Sequence, residues 1–236
     1  MTNVVFLDKE AHRDLRVQGG TSNEFPDDQR FVQVVVNEFP LLVVHHPILL
    51  TKDSDTGAFI CGAVFGFDAA ENLFRDEPDA YRPLNLRRIP FFVAGGGDLA
   101  IDLDNPRVGT QKGQRLFDDG GAPTAYLQGV IAALGELRPG AEMTKIFIDT
   151  LLKLKLIGPI DISLRFDDGE TRNLLGLYTI DPDALRELPD ATVVELFRRG
   201  YLNLIYLMMA SLKQVPVLAQ KKNRLLLGAS DALARP

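Results

Sequence analysis

The sequence has a single cysteine, Cys61. An internal disulfide is therefore excluded, which fits a reducing compartment. Cys61 sits between Ile60 and Gly62 in an apolar run, where a free cysteine is expected to be a buried, inert thiol. Signal-peptide character is also missing: there is no basic n-region, and the N-terminal apolar run is only Val4 to Leu7. Long apolar runs are missing too. The charge-free apolar stretch between Arg199 and Lys213 falls short of the ~20 residues that span a bilayer. Nor is there a basic excess: 26 Lys and Arg stand against 32 Asp and Glu, a net charge of −6. Nucleic acids and anionic membranes need a basic surface, so both are disfavoured as partners. The expectation is a soluble, cytoplasmic protein with no transmembrane segment, with export by a leaderless route left open.

What is present suffices for a sizeable core: 236 residues, 46% of them hydrophobic. The first half is rich in strand patterns. Val4 to Leu7, Phe31 to Val36, Leu41 to Val44 and Ile48 to Leu50 are strand candidates, and a loop is expected over residues 19–30. Asp53 to Gly57 is turn chemistry and Phe59 to Phe67 its return strand, which makes a hairpin. Leu86 to Val93 and Leu99 to Leu103 extend the pattern.

Character changes near residue 122. Leu127, Val130, Ile131, Leu134 and Leu137 form one helical stripe, with Thr124 as a candidate N-cap. Pro139-Gly140 breaks it, and Ala141 to Leu156 forms a second helix. Ile160 to Phe166 alternates strictly and pairs through Asp167 to Glu170 with Thr171 to Ile180. Asp181-Pro182 starts a short helix, Pro189-Asp190 another, and Tyr201 to Leu212 a helix apolar enough to be buried on most sides. Lys221 to Arg224 reads as a basic tail segment, with fraying at the last residues. The fold class is α+β: a β-rich N-terminal half, mostly antiparallel hairpins, packed with a C-terminal half of helices and one β-hairpin. With no linker-like stretch, residues 1–236 are expected to be one domain, with possible lobes at 1–122 and 123–236.

Chemistry-bearing residues are sparse. His45 and His46 are adjacent, and on a strand adjacent side chains point to opposite faces, so the two do not converge on one metal. Neither an H-E-x-x-H nor a facial-triad start occurs. Asp53/Asp55, Asp102/Asp104, Asp118/Asp119 and Asp167/Asp168 lack calcium-loop spacing and fit turns. Gly95 to Gly97 leads into a strand rather than a helix, so it is a turn and not a phosphate loop. No G-x-S-x-G elbow occurs. Arg87 and Arg88, with Arg82 upstream and Arg107 beyond, are the strongest electropositive cluster; their forks suit carboxylate or phosphate, with internal pairing as the simpler use. The candidate binding residues are His45, His46, Arg87 and Arg88, with no metal site and no cofactor.

Many segments agree together with one family. VVFLDKEAHRDLRV, HHPILLTKDSDTGAFICGAVFGFDAAENLF, YRPLNLRRIPFFV, IDLDNPRV, QRLFDDGGAPTAYL, FIDTLLKLKLIGPIDISL, GLYTID and GYLNLIYLMMASLKQVPVLAQKKNRL, in this order, resemble the SapC family of bacterial proteins. The resemblance implies association with a bacterial surface layer and a setting beside TonB-dependent receptors, tryptophan-halogenase-like flavoproteins and cupin-like or JmjC-like proteins. It supplies no catalytic residues. The expected role is an intracellular accessory protein with a protein or peptide partner, linked to cell-surface or outer-membrane uptake systems. A homo-oligomer stays open. The alternative is a metal-dependent enzyme acting on a peptide or small molecule through His45 or His46, and the absence of any catalytic pattern weighs against it.

Overall fold

Strands dominate the first half of the chain and helices the second, as an α+β fold requires. A computed structural model describes residues 3–19 and 29–233. In chain order the elements begin with β1 (Val4–Phe6), β2 (Arg16–Val17), β3 (Phe31–Gln33), a 3-10 turn (Val36–Glu38), α1 (Phe39–Leu42), β4 (Ile48–Lys52) and β5 (Phe59–Val64). Then come α2 (Leu84–Arg87), β6 (Phe91–Val93), β7 (Leu99–Asp102), β8 (Val108–Gly109) and β9 (Gln114–Arg115). The second half holds α3 (Ala125–Lys153), β10 (Ile157–Arg165), β11 (Thr171–Ile180), α4 (Pro182–Arg186), α5 (Asp190–Arg198), α6 (Tyr201–Ser211) and α7 (Gln214–Leu233). The loop expected over residues 19–30 lies mostly outside the described residues, as do the last three positions.

The chain divides into two compact units. Met1–Asp27 with Arg82–Pro139 forms the first, and Asp28–Tyr81 with Gly140–Pro236 the second. The first unit holds two antiparallel three-stranded sheets, in orders β1-β7-β6 and β8-β2-β9. Its core is Val17, Phe91, Ile101, Leu116, Leu127, Val130 and Leu134. The last three come from the first half of α3, at the spacing that sets one face of a helix. Thr124 caps that helix: its Oγ1 accepts from Leu127 N (3.5 Å) and donates to the Arg115 carbonyl (2.7 Å).

The second unit is built on one antiparallel sheet, β10-β11-β4-β5-β3. The β4–β5 register sets Leu50 opposite Cys61 and Thr51 opposite Ile60. Asp53 shapes the hairpin turn, its Oδ1 accepting from Thr56 N (2.8 Å) and Asp55 N (3.2 Å). Ser211 ties α6 to the sheet: its Oγ accepts from Ile48 N (2.8 Å) and donates to the Met208 carbonyl (2.6 Å). Thr144 does the same for α3, accepting from Val36 N at 2.9 Å. Each bond satisfies a buried backbone donor outside the ladder.

Five local expectations are corrected. Leu41 to Val44 is not a strand: α1 covers Phe39–Leu42, with Val43 N bonded to the Phe39 carbonyl (3.0 Å). Phe39 and Leu42 are buried while Leu41 and Val44 are exposed, a period of three that overrides β-branched propensity. The strand from Phe31 stops at Gln33, because the Glu38 carboxylate draws Val35 N (2.9 Å) into a capping turn. Leu86 to Val93 starts as a helix, not a strand: the Pro83 carbonyl accepts from Leu86 N and Arg87 N, and only Phe91–Val93 is extended.

The two helices expected either side of Pro139 are one, α3, with Pro139 inside it. The buried positions Leu127, Val130, Leu134, Thr144, Phe147 and Leu151 keep helical phase across the proline, so continuity gains burial at both ends. Finally, α6 is fully buried along one stripe only, with Tyr201, Leu202, Leu204, Leu207 and Met209 half-buried beside it. Ile205, Met208 and Ser211 are covered, and Tyr206 is exposed. Among the described residues one helical stretch, Tyr201–Leu227, is long and apolar enough to cross a membrane by length and composition. It is interrupted by a turn at Leu212 and Lys213 and carries Lys221, Lys222 and Arg224.

Candidate functional site

The histidine pair belongs to the second unit. Both residues follow the C-terminus of α1, and the Leu42 carbonyl accepts from His45 N (2.9 Å) and His46 N (2.8 Å). They therefore lie in a turn, not on a strand, and strand alternation does not separate them. Their rings are 6.2 Å apart and tilted by 52°. His46 is fully buried, stacked on Phe65 at 4.3 Å and against Phe74 at 4.1 Å. Its Nε2 lies 3.2 Å from the Tyr81 carbonyl; a carbonyl only accepts, so Nε2 carries the proton. Nδ1 makes no hydrogen bond of good geometry, although the Val64 backbone is near enough to act on it. Burial lowers the pKa from 6.5 to about 4, against the Tyr81 and Val64 backbone, with His45 and Lys221 adding to the fall. His46 is a neutral aromatic member of the core. Cys61 is sealed as well, and burial pushes its thiol up to about 12. Among the described residues no group of three or more His, Cys, Asp and Glu is placed to hold a metal ion.

A charge network in the same unit escaped sequence reading. The segment that looks like a basic tail is part of α7, and its Lys222 is buried. Lys222 Nζ donates to Asp68 Oδ2 (2.7 Å) and to Glu71, and Lys221 Nζ donates to Glu77. Asp68 also accepts from Arg172 Nε (3.2 Å), and Arg172 pairs with Asp168 (2.7 Å). The hydrogen bond from Lys222 is the first cause holding the Asp68 carboxyl below its ordinary value. A cleft of about 520 Å³ opens here, lined by Asp68, Glu71, Glu77 and Lys221 among others. The ion pairs of Lys221 and Lys222 fasten α7 to the segment from Asp68 to Glu77, and Arg75, Asp76 and Arg224 add further charge to the cleft wall.

The arginine pair belongs to the first unit and splits in role. Arg88 is committed: Nε donates to Asn85 Oδ1 (2.9 Å), an Nη donates to the Phe91 carbonyl (3.0 Å), and the guanidinium lies 5.0 Å from the Phe92 ring centre. Burial lowers its pKa. Arg87 instead lines a cavity of about 300 Å³ with Arg82, Arg107 and Tyr126, and with Leu86 and Val130 among its apolar neighbours. Among the described residues of that lining none is acidic. Arg107 is buried and Arg82 half-buried. Both charges reach Tyr126, whose pKa burial raises to about 12 in spite of them. Sequence spacing found Arg82, Arg87 and Arg107; Tyr126 carried no signal, since it is the second residue of a helix some 20 positions beyond Arg107.

No curated protein and no solved structure matches the chain. A family model does: the SapC model covers residues 7–218 of the 236, which takes in both units, the histidine turn and the arginine cavity. With nearly the whole chain matched, this protein belongs to the SapC family.

Proposed function

We propose that this SapC-family chain is an accessory binding protein without catalysis of its own, holding a protein or peptide partner and serving bacterial cell-surface or outer-membrane uptake systems. One observation carries the reading: Cys61 and His46 are sealed in the core, while the first unit presents a cavity lined by recognition groups. Cys61 and His46 are 1% and 0% exposed. Arg82, Arg87, Arg107 and Tyr126 line the cavity, and among its described lining residues there is no carboxylate or thiol to act as base or nucleophile. Arginine forks and a phenol orient and hold a ligand; they break no bond alone. The link to surface or uptake systems rests on what the family resemblance implies.

The test is capture of the full chain from a bacterium that encodes it, followed by reconstitution from purified components. A defined partner that re-forms a complex with the purified chain supports the reading. Turnover of a small molecule by the purified chain unaided overturns it.

A further inference from the structure

We propose that the outer edge of β10 pairs with the same edge of a second copy of this chain, antiparallel and with the two-fold axis at Ser163. β10 ends the sheet of the second unit, in order β10-β11-β4-β5-β3. Among the described residues nothing hydrogen-bonds to the backbone of Ile157–Arg165 from the side away from β11. Such a row of open donors and acceptors is a template for another strand.

The hairpin decides which groups face that edge. Phe166 N donates to the Glu170 carbonyl (2.9 Å), so this pair is bonded across the hairpin. Bonded and non-bonded pairs alternate in an antiparallel ladder. Leu164 with Arg172 and Ile162 with Leu174 are therefore the next bonded pairs. The bulge between Ile160 and Ile162 adds its extra residue on β11, so β10 keeps its alternation there. Asp161, Ser163 and Arg165 turn their N–H and C=O groups to the open edge. Pro159 falls in the same set but has no N–H, which closes the edge on that side.

The side chains of Asp161, Ser163 and Arg165 are exposed on one face, and Ile162 and Leu164 lie on the other. Among the described residues neither Asp161 nor Arg165 holds an ion pair. A two-fold axis at Ser163 sets Asp161 opposite Arg165 of the second copy, and Arg165 opposite Asp161 of the second copy. It also sets Ile162 opposite Leu164 of the second copy. Three pairs each exchange two backbone hydrogen bonds, both charges meet their opposites, and apolar side chains meet on the other face. Neighbouring registers do worse. With the axis at Asp161 or at Arg165, like charges stand opposite each other. With the axis at Leu164, Asp161 meets Asp167; with the axis at Ile162, Arg165 meets Pro159, which cannot donate. Edge charges of one sign keep strands apart, whereas these two, of opposite sign and placed evenly about Ser163, select a copy of the same edge. The ladder is short, so the dimer is reversible, with a dissociation constant of about 1–100 µM.

Sedimentation of the full-length chain in low salt, from about 1 to 500 µM, is expected to show a monomer–dimer equilibrium. Arg165→Asp and Asp161→Arg each place like charges opposite each other and are each expected to weaken the dimer about tenfold or more. The double variant, Asp161→Arg with Arg165→Asp, restores the opposition in the same register and is expected to associate within about threefold of wild type. Both positions are exposed, and circular dichroism is expected to be unchanged in all three variants. A chain monomeric up to about 500 µM overturns the proposal. So does a dimer that the single variants leave intact, or one that the double variant fails to restore. A monomeric chain whose captured partner is released by Arg165→Asp also overturns it and assigns the edge to a different protein. Each of these results leaves the accessory role standing, because that role rests on other residues.

Discussion

His46 makes the folded state sensitive to mild acid, in a pH window separate from that of the carboxylates. Its ring is neutral and fully buried between Phe65 and Phe74, and its pKa is about 4 against 6.5 when free. The unfolded chain therefore takes up a proton at a pH where the folded chain does not. Stability is fully present above 6.5, falls as the pH drops from 6.5 to about 4, and is level below that. The gap corresponds to roughly 3 kcal/mol in total, and to about 2 kcal/mol between pH 7 and pH 5. The lowered carboxyls of Asp68 and Asp168 act in the same sense but beneath their ordinary value of 3.8, so they do not contribute in this window.

The perturbation is His46→Phe, which keeps a ring in the stack and removes the titration. The chain has no tryptophan, so urea unfolding is followed by far-ultraviolet circular dichroism. Wild type should lose about 2 kcal/mol more than His46→Phe between pH 7 and pH 5. The difference in slope matters, not the offset at pH 7, where losing the bond to the Tyr81 carbonyl has its own cost. Equal losses in the two proteins over that range would refute the reasoning.

Three further outcomes are expected. Cys61 should react with a thiol reagent about a hundredfold or more slowly in the folded chain than in urea, because burial pushes its pKa to about 12; rapid native labelling at pH 8 would contradict this. In α3, Gly135→Ala should stabilise by about 0.5–1 kcal/mol, since an added Cβ meets nothing within 4 Å, whereas Gly140→Ala should destabilise by about 1–3 kcal/mol, its Cβ lying 2.8 Å from Val35 Cγ2 and 3.0 Å from Val35 Cβ. Stabilisation by both in urea titrations would show that helix propensity outweighs packing here, and destabilisation by both would contradict the open space at Gly135. Lys222→Met should cost about 2 kcal/mol in the same assay, because it leaves Glu71 with only the Phe67 and Asp68 backbone donors, while Asp68 keeps Arg172; the loss stays below that of a fully buried pair because the Asp68 side chain is 42% exposed. A change within about 0.5 kcal/mol would mean that the α7 fastening contributes nothing net.

What the sequence showed and what it hid follow from the range of the interactions involved. The hairpins at Asp53 to Gly57 and Asp167 to Glu170 were legible, as was the helix start at Asp181, where Oδ1 accepts from Asp183 N and Ala184 N; each is decided by residues within a few positions. Pro139 misled because a local breaker was weighed without the burial that continues in phase on both sides of it. Leu41 to Val44 misled because β-branched propensity was read without the burial of Phe39 and Leu42 that sets a helical period. The family was legible because it depends on many short segments in order, and each survives without knowledge of contacts.

The candidate sites divide along the same line. Arg82, Arg87 and Arg107 were visible as a cluster of one charge in an acidic chain. Their separation from Arg88 was not visible, because it depends on Asn85 and the Phe91 carbonyl occupying that one guanidinium. Lys222 looked like tail because its partners Asp68 and Glu71 lie some 150 positions away, and no local pattern marks a lysine that will be buried. His46 was visible as chemistry and proved to be packing: with Phe65 and Phe74 against its ring, the fold uses the imidazole as an aromatic plate with one donor. A histidine so enclosed is a poor ligand or base at neutral pH, and that moves the search for function from the histidine turn to the arginine cavity.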